Sequence, residues 1–173
     1  MDSRIGEART RDALAVRALH REVLEEGRFF VRTPAELPRL DRVEQDLARY
    51  RQSENSAWFV ARSRVVPLAG FLVLTGGALD RVRHVARLEM MVDRRARRSG
   101  VGGALLDHAL DWASANPLLE KVSLVVFSDN EAAIALYRSR GFQIEGRREG
   151  EYREADGALR GDVLMARMVP VSD

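Results

Sequence analysis

Arg94, Arg95, Arg97 and Arg98 are followed at once by Gly100, Gly102 and Gly103. Residues of these types in this order can build an anion site. The first amides of a helix have no acceptor within it and lie at the positive end of its dipole. Glycines let a phosphate reach those amides without a Cβ in the way. Arg97 and Arg98 can add charge-assisted hydrogen bonds to phosphate oxygens. The expected ligand is therefore a phosphorylated cofactor. Two nucleotide loops fail on the residues themselves. A P-loop needs a lysine after its second glycine, and this segment has none. A dinucleotide fingerprint needs glycine where Leu105 stands.

Such a loop must be held between a strand and a helix, and the flanking pattern supplies both. Val85 to Val92 reads as a strand running into the arginines, and a helix follows to about Ala113. Upstream, residues 3–8 read as a short strand. A helix is expected from Thr10, acting as its cap, to Glu26-Gly27, with Leu14 and Ala18, then Val16, Leu19 and Val23, at helical spacing. Thr33-Pro34-Ala35-Glu36 has a capping-box pattern, although Pro38 argues against a long helix there. A second helix spans Leu40 to Tyr50, with Val43, Leu47 and Tyr50 on one side. Trp58–Ala61, Leu68–Leu74 and Val85–Val92 then form an antiparallel meander. Downstream, Val122–Phe127 reads as a buried strand, and Asn130 opens a helix that Gly141 closes. Phe142–Gly146 and Val163–Val169 are the last strands. The order β-α-α-β-β-β-α-β-α-β-β predicts a mixed α/β sheet.

The bulk properties narrow the class. A chain of 173 residues with 46% hydrophobic side chains suits one packed domain and excludes wholesale disorder. No cysteine is present, which removes disulfides, thiolate metal sites and a cysteine nucleophile. His20, His84 and His108 share no ligand spacing, so no metal is expected. The N-terminus is charged and lacks the apolar stretch of a secretory signal, and no window approaches the roughly 20 apolar residues of a membrane span. A cytoplasmic protein without a membrane partner is expected. The net charge is only +2 with the charges interspersed, so a nucleic-acid-coating surface is not expected.

Arg97-x-x-Gly100-x-Gly102 resembles the coenzyme A pyrophosphate loop of the GNAT superfamily of N-acetyltransferases. Asn130-Glu-Ala-Ala133-Ile134-Ala-Leu136-Tyr137-Arg-Ser-Arg-Gly141-Phe142 resembles a later motif of the same family, in the family's order. The resemblance covers Val85 to Val169 strongly and the first 55 residues only by layout. It implies the acyl-CoA N-acyltransferase fold, a mainly antiparallel sheet flanked by helices, and acetyl-CoA as co-substrate. It also implies roles. The backbone of Met90, Met91 and Val92 pairs with the pantetheine arm where their strand splays from Val122–Phe127. The amides of Arg97, Arg98, Ser99, Gly100, Val101, Gly102 and Gly103 hold the pyrophosphate. Asn130, with Ala133 beside it, contacts the pantetheine region, and Tyr137 brings its hydroxyl to the thioester sulfur.

The chemistry agrees with that arrangement. An amine attacking a thioester builds negative charge on oxygen, which strand amides can stabilise. The departing thiolate gains from a proton that a tyrosine can donate. Glu89, an acid on the same strand, is the candidate base. Strand alternation puts it on the face of Met91 and opposite Met90. The resemblance also assigns the acceptor wall to the first two helices and their connection. There Glu25 and Glu26 beside Phe29 and Phe30 can attract an ammonium. A free amino acid or other small amine is the expected acceptor. The alternatives are a peptide N-terminus, as in ribosomal-protein acetyltransferases, and a silent acyl-CoA-binding module. A homodimer is compatible with the resemblance.

Overall fold

A computed structural model describes residues 3–63 and 66–170; Met1 and Asp2 of the charged N-terminal segment lie outside the described residues. Seven strands form one sheet: β1 (Ser3–Glu7), β2 (Ala57–Ser63), β3 (Gly70–Gly76), β4 (Val85–Val92), β5 (Lys121–Phe127), β6 (Gln143–Arg153) and β7 (Leu159–Met168). Their spatial order is β1-β2-β3-β4-β5-β7-β6. Every neighbouring pair is antiparallel except β4 and β5, which run parallel. The helices are α1 (Ala13–Glu25), α2 (Leu40–Arg51), α3 (Val101–Ala115) and α4 (Glu131–Arg138). The element order and the β2–β3–β4 meander are those expected from the sequence.

The helices divide between the two faces of the sheet, because alternate strand residues are apolar toward different partners. On one face α1 and α2 bring Val16, Leu19, Val23, Val43 and Leu47 onto Val60, Phe71, Val73 and Met91. On the other, α3 brings Val101, Leu105, Leu106, Ala109 and Leu110 onto Phe59, Leu72, Leu74, Ala86 and Leu88. Each fully buried Leu or Phe in these layers contributes about 1.5–3 kcal/mol of transfer free energy. At Gly70 the start of β3 runs tight under α3: an added Cβ would lie 2.8 Å from the Met91 carbonyl oxygen and 3.0 Å from Leu105 Cδ1.

Three local expectations are corrected. Leu14 is 68% exposed and Ala18 is also exposed, so the buried stripe of α1 is Ala13, Val16, Leu19, Val23 and Leu24. Thr10 does not cap that helix. A 3-10 turn, Thr10–Asp12, precedes it, and the Asp12 carboxylate accepts the Arg9 N–H at 2.7 Å. The Thr33–Glu36 pattern caps only one 3-10 turn, with Glu36 accepting the Thr33 N–H at 2.7 Å.

The last hairpin is the largest departure, because β6 runs to Arg153 and β7 starts at Leu159. Arg147 to Arg153 carries no apolar alternation, so its pairing was invisible in the sequence. A buried carboxylate organises it. Asp162, 1% exposed, pairs with Arg148 and accepts the Tyr152 hydroxyl at 2.6 Å. The Arg148 guanidinium holds the Asp162 carboxyl below the usual carboxylate range. Removing one partner of a buried pair typically costs about 3–5 kcal/mol. Arg148 remains 40% exposed and regains water, so Asp162→Ala is expected to lower stability by about 2–3 kcal/mol in denaturant titration.

His20, partly buried against Phe71, gives a pH signature. Burial, with Arg32 adding to it, lowers its pKa from 6.5 to about 4. Its folded-state pKa is depressed, so the fold favours the neutral ring. That stability is present above pH 6.5 and is lost as pH falls toward about 4. Urea midpoints measured across this window are expected to fall less steeply in His20→Leu than in the wild type.

Candidate cofactor and acceptor site

The sheet opens at its centre. β4 and β5 pair over three positions only, Val85 with Lys121, Ala86 with Val122 and Arg87 with Ser123. From Leu88 onward β4 keeps its pairing with β3 alone, while β5 continues against β7. The ladder sets which backbone groups face the opening. The Asp93 N–H bonds the Ala69 carbonyl, and the Gly77 N–H bonds the Val85 carbonyl. Antiparallel alternation then turns residues 85, 87, 89, 91 and 93 toward β3, and residues 88, 90 and 92 toward the gap. Met90 and Val92 thus present backbone there as expected. Met91 does not: its amide and carbonyl belong to the β3 ladder opposite Phe71.

The arginine–glycine loop lies at the open end of β4. Gly100 is the N-cap of α3 with φ +88°, a left-handed conformation suited to glycine, and open space surrounds its missing Cβ. The Ala104 N–H is the first to bond back, to the Gly100 carbonyl at 2.9 Å, so the amides of Val101, Gly102 and Gly103 precede the helical ladder. Arg98 holds φ 59°, the one positive φ outside glycine among the described residues. A Cβ on Gly102 would meet Leu136, Val92 and Met90 at 3.5–3.7 Å, so α4, β4 and the loop converge there. Ser99 turns its hydroxyl back to the Ala96 carbonyl at 2.7 Å.

The four arginines divide. Arg95 wraps Asp93 and reaches Glu22, and Arg97 forms a two-pronged pair with Glu26. Arg94 and Arg98 are exposed and make no ion pair among the described residues. Asn130 caps α4 by accepting the Ala133 N–H at 3.3 Å. Tyr137, on the same helix, is 7% exposed and packs its ring 5.6 Å from Phe142. Its hydroxyl makes no hydrogen bond among the described residues, and burial pushes its pKa up to about 12.

Glu89 is exposed, on the face of Met91 that α1 and α2 cover, and it is not paired with Arg87. The residues expected to wall the acceptor site separate. Glu25 is exposed at the end of α1, and Glu26 is taken by Arg97. Phe30 packs on the α1–α2 core. Phe29 alone reaches across the sheet, 6.4 Å from Phe127, with the Arg160 guanidinium 5.6 Å above its ring. Arg160 also lies 4.3 Å over Phe127, forks onto Asp129 at 2.6 and 2.9 Å, and bonds Glu154 at 2.8 Å. Beside it opens a cavity of about 470 Å³, lined by Gly27, Arg28, Asp129, Glu154, Asp156 and Arg160 among others.

The sequence profile of the acetyltransferase (GNAT) family matches residues 18–142. The chain belongs to this family. Acetyl-CoA-dependent N-acetyl transfer is the chemistry of its members. A GNAT acetyltransferase from Streptococcus pneumoniae is 30% identical and superposes with a TM-score of 0.91, covering 97% of this chain and 100% of that one. The L-amino acid N-acetyltransferase AaaT of Escherichia coli is 33% identical over 94 residues, 51% of this chain. The match spans 58% of AaaT's own length. A phosphinothricin acetyltransferase from Sinorhizobium meliloti, solved with acetyl-CoA, shares the fold at 19% identity, with a TM-score of 0.85 over 98% of this chain and 90% of that one.

In this GNAT chain the sequence motifs lead to the arginine–glycine loop and α4, and the cluster around Arg160 lay outside them. Arg160 lies on β7, far in sequence from Phe127 and Asp129 at the end of β5, so no local motif joins them. Asp162 did leave a signal, a lone acid at the head of the apolar run Val163-Leu164-Met165. Among the described residues no group of His, Cys, Asp or Glu is arranged to hold a metal, and no helix is long and apolar enough to cross a membrane. Since Arg98 is an unpaired cation on the GNAT loop, Arg98→Ala is expected to weaken coenzyme A binding about tenfold by calorimetry. The loss should shrink at high salt.

Proposed function

We propose that this chain acetylates the primary amine of a small molecule, a free amino acid above all, by direct attack of the amine on acetyl-CoA. The observation that carries this is the β4–β5 gap, where the Met90 backbone and the Val92 N–H go unpaired, with the Met90 and Val92 side chains packed on the core cluster that buries Tyr137. The residues fit the co-substrate. Unpaired strand amides suit an amide-bearing arm, and the open space at Gly100 suits a pyrophosphate. Acetyl-CoA supplies the activated acyl group.

The chain's own groups then divide the work. The Met90 N–H donates toward the acyl oxygen, where negative charge develops. Glu89 takes the proton that the acceptor ammonium must lose, directly or through water. Tyr137 gives its hydroxyl proton to the departing sulfur. With its pKa raised to about 12, Tyr137 stays protonated throughout the neutral range and serves as an acid, not as a base. Asn130 keeps its Nδ2 for the arm while Oδ1 caps α4.

The cavity beside Phe29 supports the acceptor class. Arg28 and Arg160 together with Asp129, Glu154 and Asp156 offer both signs of charge, which suits an amine that also bears a carboxylate. AaaT, by its name an L-amino acid N-acetyltransferase, supports the same choice. A peptide N-terminus is the second reading, favoured by the exposed lining of the cavity.

The test follows release of coenzyme A thiol with a panel of free amino acids, polyamines and short peptides. Turnover with amino acids, and a kcat lowered about 100-fold in Tyr137→Phe, is the expected result. Turnover with peptides alone would move the acceptor to a protein N-terminus. Binding of acetyl-CoA with no acceptor consumed would favour a silent acyl-CoA-binding module. The pH profile adds a check: kcat is expected to stay level from about pH 8 to 10, since Tyr137 does not ionise there. An alkaline fall in that range that vanishes in Tyr137→Phe would mean that Tyr137 ionises there, and would overturn its raised pKa while leaving its role as acid.

A further inference from the structure

The structure assigns Glu26 and Arg97 a joint positioning role: together they bracket the acceptor wall to the cofactor loop, and the Arg97 side chain is not a phosphate ligand. This deepens the acetyl-CoA reading above and rests on it for the identity of the cofactor.

The Arg97 fork is already committed. Its Nη1 and Nη2 donate to the two Glu26 carboxylate oxygens, each at 2.7 Å, and its Nε donates to the Val92 carbonyl at 3.1 Å. Val92 is the last residue of β4, and its carbonyl is one of those turned toward the gap. The guanidinium therefore ties three things together: the end of the cofactor strand, the loop that bears Arg97, and the C-terminus of α1. Glu26 is the C-cap of α1, and Gly27 follows it with φ +63°, turning the chain into Arg28 at the acceptor cavity. Where Glu26 is held, that wall is held.

A second rung runs parallel to the first. Glu22, one turn earlier on α1, meets Arg95 at 3.4 Å, and Arg95 is itself fixed on the buried Asp93 at 2.7 Å. Residues four apart on a helix share a face, so Glu22 and Glu26 reach the loop side by side. The pairing also neutralises two of the four arginines. Arg94 and Arg98, without ion pairs among the described residues, are left as the cations available to a pyrophosphate.

Lysine discriminates a bracket from a phosphate ligand. It keeps the charge but cannot donate as a planar fork to Glu26 while also reaching Val92. The experiment compares Glu26→Gln, Arg97→Gln, Arg97→Lys and the Glu26→Gln/Arg97→Gln double variant. Coenzyme A affinity is measured by calorimetry, and amide hydrogen exchange is measured on the free protein.

The bracket predicts that Glu26→Gln and both Arg97 variants each weaken coenzyme A by about five- to tenfold, with the double variant no worse than a single one. It also predicts reciprocal loosening. Glu26→Gln speeds exchange at residues 94–98, and Arg97→Gln speeds it at residues 24–30. If Glu26→Gln leaves affinity unchanged or improves it, while Arg97→Gln weakens it and Arg97→Lys keeps it, Arg97 is a phosphate ligand and the bracket is wrong. Absence of reciprocal loosening also overturns it. The exchange arm needs no ligand, so a wild-type chain that failed to bind coenzyme A would defeat the acetyl-CoA reading and leave the bracket to be judged separately.

Discussion

The parting of β4 from β5 is the constraint on which the rest of this structure depends. Backbone N–H and C=O groups inside a sheet are normally paired, because leaving them unmet and dry costs free energy. Here the parallel pairing stops after Arg87, and the gap-facing backbone of Met90 and the Val92 N–H are released in the middle of a seven-stranded sheet. The rest of the fold keeps that opening from closing. On one side β3 grips β4 along its whole length, and on the other β7 grips β5 along its whole length. With both strands claimed by antiparallel partners, neither can swing across. An extended ligand with its own amides and carbonyls is the natural complement to such a slot.

The helices complete the slot from its two faces with different chemistry. On the α3–α4 side the lining is apolar and close: Met90, Val92 and Leu136 gather around Gly102, and Tyr137 is buried next to Phe142. On the α1–α2 side the surface is charged. Glu89 projects from β4, and the Arg160 network spans Phe29, Phe127, Asp129 and Glu154. A tyrosine kept neutral by burial lies on one face and an exposed carboxylate on the other. The alternation of a β-strand is what separates them, since Glu89 and Met90 are neighbours in the chain but point to opposite faces.

Charge pairing joins the C-terminal end of α1 to the arginine–glycine loop. Glu22 and Glu26 of α1 reach Arg95 and Arg97, and Asp162 ties β6 to β7 through Arg148 and Tyr152. These contacts are long-range in sequence and would not follow from local propensity. They also explain why an arginine run that looks uniform along the chain is not uniform in function. Two of its members face acids, and two face solvent.

The chain by itself determined its element order, the strand–arginine–glycine–helix unit and the Asn130–Phe142 helix, because apolar periodicity, capping and glycine placement act over a few residues. From these, the family and its cofactor were legible. Tertiary structure decided what depends on residues far apart in sequence meeting in space. It turned the Met91 backbone toward β3, since ladder parity is set by pairing and not by residue type. It put Glu26 on Arg97 and Phe30 against the α1–α2 core, leaving Phe29 as the aromatic of that segment that reaches Arg160. It also extended β6 and β7 through a stretch with no apolar pattern, because the partner of Arg148 and Tyr152 lies on the opposite strand. Patterns of local free energy can be read along a chain. The pairing of distant charges and backbone groups appears only once the chain has folded.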